Sequence, residues 1–222
     1  GCYKEQRAYA EALAVFEEGL QAERRLGDPI PYAFAFYYNS GAQIYEVLDR
    51  YDEAIRYYQK GLQALASMPD HPERATSLYG LAKIYREKGY YEEALAQFTA
   101  VLEMDLRAFG EEHSYVMVDY QSLSRTYLLL NDYENARLYA RKALTLGERL
   151  RGPDSHENAT LMISLANALE LLGRRREASD LVRRAVALEE AALGRSPRLV
   201  GIHYPTLASL YDEAAEMYHA ME

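Results

Sequence analysis

Residues 51–54 read Tyr-Asp-Glu-Ala, and the tetrad returns as Tyr91-Glu92-Glu93-Ala94, Tyr133-Glu134-Asn135-Ala136 and Arg175-Arg176-Glu177-Ala178. An earlier copy is Tyr9-Ala10-Glu11-Ala12. The alanines stand at 12, 54, 94, 136 and 178, so the intervals are 42, 40, 42 and 42 residues. A fixed period of this size marks an architecture of stacked repeats, and it governs every local reading of the chain.

The surroundings of each tetrad follow one grammar. Nine residues before the alanine stands an anchor, Tyr3, Tyr45, Tyr85, Tyr127 or Leu169, and three before the anchor a small residue, Ala42, Ala82, Ser124 or Ala166. Four after the anchor comes a break, Asp49, Gly89, Asn131 or Gly173. Asn and Gly tolerate the left-handed conformation that ends a helix. Four beyond the tetrad alanine are Phe16, Tyr58, Phe98 and Val182, with Ala140 the small exception; eight beyond it are Leu20, Leu62, Leu102, Leu144 and Val186. These spacings mark one face of a helix. Each unit therefore reads as helix A, a tight turn, helix B and a loop. The loops carry punctuation such as Gly27-Asp28-Pro29, Pro69-Asp70-His71-Pro72 and Gly152-Pro153-Asp154. One such hairpin cannot bury its apolar face alone, whereas stacked hairpins share a continuous core.

This grammar resembles the tetratricopeptide repeat. The period, longer than the usual 34 residues of that motif, is similar to that of the kinesin-light-chain type. So are Phe109-Gly110-Glu111-Glu112-His113 and the His71-Pro72 pair, which resemble that type's loop signature. The resemblance implies an all-α, right-handed superhelical solenoid that binds proteins or peptides in a concave groove lined by the A helices. A partial repeat is expected at 1–28, full repeats at about 32–70, 73–110, 115–152 and 157–194, and a partial terminal repeat at 199–222. The last holds the anchor Tyr211 and its alanine Ala220, so the chain begins and ends in mid-repeat and reads as a fragment of a longer protein.

Composition narrows the function. Lys and Arg total 25 against 34 Asp and Glu in 222 residues, a net charge of −9. Nucleic acid and anionic membrane surfaces both select positive charge, so neither is an expected partner. The one cysteine, Cys2, excludes an internal disulfide and a Cys-based zinc site. No apolar stretch approaches the roughly 18 residues of a membrane span, and cytoplasmic localisation is the default expectation. Phosphate-binding loops, dinucleotide fingerprints and nucleophile elbows are all missing from the sequence. No catalysis and no cofactor are expected. Of His71, His113, His156 and His203, three fall in equivalent loops at least a repeat apart, too far to share an ion whose ligands sit about 2 Å away. A loop or helix-start role is expected for them, and no metal site.

On each A helix the registers six before, two before and one after the anchor lie on a single face. The first holds Asn39, Tyr79, Gln121 and Ile163; the second Gln43, Lys83, Arg125 and Asn167; the third Glu46, Arg86, Leu128 and Glu170. Lys83, Arg86 and Arg125 form a basic patch in an acidic chain, and such groups bind carboxylates through charge-assisted hydrogen bonds. The site expected from this face is Asn39, Gln43, Tyr79, Lys83, Arg86, Gln121, Arg125 and Asn167, taking an extended, acidic or C-terminal peptide. Asn39, Gln121 and Asn167 would bond its backbone. In the plainer reading Arg86 pairs with Glu46 or another nearby acid, and the charges are solvated. Two further readings stand beside the scaffold: a regulatory or sensor segment of a larger signalling protein, and a module that self-associates through open solenoid ends.

Overall fold

A computed structural model describes residues 2–25 and 30–195. The terminal repeat at 199–222, with Tyr211, Ala220 and His203, lies outside the described residues, as does the Gly27-Asp28-Pro29 turn. Among the described residues the helices are α1 (Cys2–Arg25), α2 (Pro31–Val47), α3 (Tyr51–Ala64), α4 (Pro72–Glu87), α5 (Tyr91–Phe109), α6 (Ser114–Leu129), α7 (Tyr133–Arg151), α8 (Ala159–Leu171) and α9 (Arg175–Arg195). A short 3-10 turn, His156–Asn158, leads into α8, and no strand occurs among these residues. The chain divides into two compact units, residues 1–104 and 105–222.

The A-to-B turns show why the break falls four residues after the anchor. Asp49, Gly89, Asn131 and Gly173 all have positive φ, at 55°, 84°, 60° and 76°. In each turn the following N–H reaches back to the anchor's carbonyl: Arg50 to Tyr45 at 2.8 Å, Tyr90 to Tyr85 at 2.8 Å, Asp132 to Tyr127 at 3.0 Å and Arg174 to Leu169 at 2.8 Å. The left-handed residue itself donates to the carbonyl one beyond the anchor, as Asp49 does to Glu46 at 3.0 Å. This pair of bonds is the Schellman closure, which satisfies carbonyls that a helix end leaves orphaned.

Small residues set the A-to-B spacing. Ala42, Ala82, Ser124 and Ala166 on the A helices are fully buried, and so are Ala54, Ala94 and Ala136 on the B helices. The Ser124 hydroxyl donates to the Ala136 carbonyl at 2.8 Å, so the two small positions meet in that hairpin. The larger residues four beyond the alanines, Tyr58, Phe98 and Val182, are buried as core.

In the first unit Ala42, Tyr45, Ala54, Tyr58, Leu81 and Ile84 form one apolar cluster spanning α2, α3 and α4. In the second, Val116, Leu123, Leu144, Leu161, Met162, Leu165 and Leu169 are buried. Within the first unit α3 packs on α2 and α4, and α2 also touches α4. Within the second, α7 packs on α6 and α8, and α6 also touches α8. Each unit thus brings successive A helices side by side with the B helix behind them.

Candidate functional site

The A-helix face carries both exposed and committed side chains. In the first unit Gln43 on α2 is exposed. Lys83 on α4 donates to Glu46 Oε2 at 2.6 Å, and 42% of its side chain stays exposed against 13% for Glu46. The other oxygen of Glu46 accepts from the Tyr58 hydroxyl. Burial first, and then this carboxylate, push the Tyr58 phenol far above its ordinary pKa, so it acts as a donor. Glu46 therefore ties α2 to α3 and α4 at once. The opposite charges at adjacent registers of successive repeats were the signal for this tie.

Arg86 does not pair with Glu46. Only 10% of its side chain is exposed; its guanidinium lies 5.3 Å from the Phe98 ring centroid and 3.8 Å from the Glu87 carboxylate. Phe98 stands at the register of Tyr58, and a ring without a hydroxyl offers a face to a cation where the phenol offered a proton to a carboxylate. Tyr79 is half-buried, edge-on to Phe98 at 5.4 Å.

Asn39 departs most from the expected site. It is 2% exposed. Its amide nitrogen donates to the Glu73 carbonyl at 2.9 Å and the Glu73 carboxylate at 2.8 Å, while its oxygen accepts from Ser77 Oγ at 2.6 Å. With both ends satisfied inside the stack, the amide is not available to a peptide backbone, and Asn39 is corrected from a binding residue to a joint between α2 and α4. Gly61 on α3 makes room for the joint, since a Cβ there would come within 2.9 Å of Asn39 Oδ1 and 3.0 Å of Ser77 Oγ.

In the second unit Arg125 on α6 is exposed, and Gln121 on α6 and Asn167 on α8 are half-buried. All the expected site residues thus lie on A helices, α2 and α4 in one unit and α6 and α8 in the other. The exposed members are Gln43 and Arg125, with Lys83 part-exposed.

The histidines start helices. His71 Nδ1 accepts from the Glu73 N–H and His113 Nδ1 from the Tyr115 N–H, each at 3.2 Å, so both serve as N-caps. Each ring is stacked, His71 on Tyr32 and His113 on Phe109. His156 lies 3.8 Å from Glu189 instead. Among the described residues no group of three or more His, Cys, Asp or Glu is placed to hold a metal ion, and no helix is long and apolar enough to cross a membrane.

Profiles of the tetratricopeptide repeat match residues 32–107, 89–149 and 158–198. The chain belongs to the tetratricopeptide repeat family. Its architecture is the all-α repeat solenoid of that family. Among solved structures it is similar to BtubC (BKLC) from P. vanneervenii, with a TM-score of 0.81 at 24% identity, covering 86% of this chain and 77% of that one. It is also similar to the kinesin-light-chain TPR-like repeats of Podosopora anserina, with a TM-score of 0.71 at 21% identity, covering 87% and 92%. At such identities the likeness shows the fold alone. Among curated relatives, protein O-mannosyl-transferase TMTC2 of Homo sapiens is 31% identical over 120 residues, 54% of this chain. The clustered mitochondria protein homolog of Candida albicans is 23% identical over 191 residues, 82% of this chain. The chain spans 13% and 14% of the lengths of those two relatives. Tetratricopeptide repeats make it a protein-interaction scaffold.

Proposed function

We propose that the A-helix faces of this scaffold bind an extended protein segment rich in carboxylates, and that the chain itself performs no chemistry. The observation that supports the reading is a cation open to solvent on an A-helix face of each unit, Lys83 on α4 in the first and Arg125 on α6 in the second, at the same register of the sequence period in a chain of net charge −9. Gln43 in the first unit, and Gln121 and Asn167 in the second, add amide groups to the A-helix faces, suited to a peptide backbone. A pre-formed surface keeps the ordering cost of binding low, so a few such anchors can carry the affinity. Cytoplasmic localisation suits a chain with a single cysteine.

The test is fluorescence anisotropy with a library of acidic peptides, comparing the wild-type chain with Lys83→Glu plus Arg125→Glu at low and moderate salt. The expected outcome is that the wild type binds a subset of peptides more weakly as salt rises. The double variant, still helical by circular dichroism, should lose at least tenfold in affinity. Equal binding by both proteins would overturn the reading.

A further inference from the structure

Two carboxyls in the second unit are buried and left out of the binding face. Asp105, near the end of α5, is 8% exposed, and Asp119, on α6, is 2% exposed. Their side chains hydrogen-bond to each other. A carboxylate only accepts, so one of the two carries a proton in that bond. The second oxygen of Asp119, Oδ2, is buried without a partner. The repeat architecture requires an acid at neither place. The register of Asp105, eleven after the tetrad alanine, holds Glu23, Leu65, Gly147 and Glu189 elsewhere, and that of Asp119, eight before the anchor, holds Tyr37, Ser77 and Leu161.

We propose that Asp105 and Asp119 form a proton-held clasp between α5 and α6, fastened while one proton is shared and loosened when it is lost. Two carboxylates forced together in a dry seam cannot both ionise without a large cost. Burial first, and then the charge of Asp105, raise Asp119 to about 8. Burial also raises Asp105, against the opposing effects of its bond to Asp119 and of His113. His113 faces the pair from the turn ahead of α6, and Tyr120 follows Asp119 on α6. From α7 comes Tyr139, which bears on Tyr120, and α8 carries a single ionisable residue, Glu170, at its far end.

The sign follows from the raised value. Between the ordinary aspartate pKa and about 8, the folded chain holds a proton that the unfolded chain has released. Stability therefore falls as pH rises across that window and levels off above it. The clasp makes the contact of Asp105 with Asp119, inside the second unit, tight in mild acid and slack in mild alkali.

The experiment is thermal unfolding of the full chain from pH 5.5 to 9, wild type beside Asp119→Asn and Asp105→Asn. An Asn amide donates to the remaining carboxylate without titrating. Each variant should unfold on the order of 5 °C above the wild type at pH 9, and the wild-type decline with pH should flatten. Curves parallel to the wild type would overturn the clasp. Should neither variant fold, carboxyl-carbon NMR titration of the wild type decides. One aspartate titrating near neutrality or above supports the clasp, and all aspartates titrating below about pH 5 overturns it.

Discussion

The seam between α2 and α4 and the seam between α6 and α8 join the same two kinds of helix at the same registers, yet they are held by different forces. In the first unit the seam is polar: Asn39 reaches Glu73 and Ser77, and Glu46 reaches Lys83. In the second, the register of Ser77 is taken by Leu161 and that of Glu46 by Leu128. There α8 buries Leu161, Met162, Leu165 and Leu169. An apolar seam gains in proportion to the area removed from water and is tolerant of direction. A polar seam gains little net energy per bond but penalises any arrangement that leaves a donor or acceptor unmade. The comparison teaches that one solenoid can place stability in one pair of repeats and fixed orientation in another.

The largest test of that division removes apolar area from the buried face of α8. Leu165 is fully buried on α8. Leu165→Ala is expected to destabilise the chain by about 2–5 kcal/mol, the range for Leu truncation in a packed core, read from denaturant unfolding. A loss below about 1 kcal/mol would mean that α8 collapses onto the gap, and the seam would not be the source of stability assigned to it.

A smaller loss is expected from the polar seam. Asn39→Ala removes the nearer acceptor of the Ser77 hydroxyl, which keeps the Glu73 carbonyl at 3.1 Å, and the amide that donates to the Glu73 carboxylate and carbonyl. Leaving buried groups unmade costs about 1–3 kcal/mol. Asn39→Leu separates size from polarity, because it fills the space but satisfies neither partner. If it matches wild-type stability in the same unfolding assay, the joint is a matter of volume and the contrast between the seams fails.

Not all of this is visible in the sequence. The turns are legible because their chemistry is local: a left-handed residue four after an anchor is a demand on one backbone position, met by Asp49, Gly89, Asn131 and Gly173. The tetrad alanines are legible for the same reason, since close approach of two helices excludes large side chains at a fixed register. Asn39 is not, because its partners Glu73 and Ser77 lie 34 and 38 residues away. A face-register argument cannot tell an amide aimed at solvent from one tilted into the next hairpin. Asp105 and Asp119 are hidden by the ordinary behaviour of aspartate, which is exposed on most helices. The cations of the A-helix faces fall between these cases. Their helix and register follow from the period, while Lys83 paired with Glu46 and Arg86 stacked over Phe98 follow from whether a Tyr or a Phe stands behind them.

The smallest expected effect is the one that separates structure from recognition on the binding face. Glu46→Gln keeps an oxygen to accept the Tyr58 hydroxyl and removes the charge that holds Lys83. The Lys83 end of this ion pair is 42% exposed, and solvent-screened pairs of this kind contribute about 0–1 kcal/mol. Stability should therefore change by less than about 1 kcal/mol. Binding should change in the other direction. Lys83 no longer has a carboxylate of its own, so an acidic peptide meets less competition for it. Affinity is expected to rise a few-fold at low salt, with the gain shrinking as salt screens the attraction. A fall in affinity at unchanged stability would show that Glu46 positions Lys83 for its ligand. The polar seam of the first unit would then be part of the recognition surface itself, and the division between the two seams would be one of function as well as force.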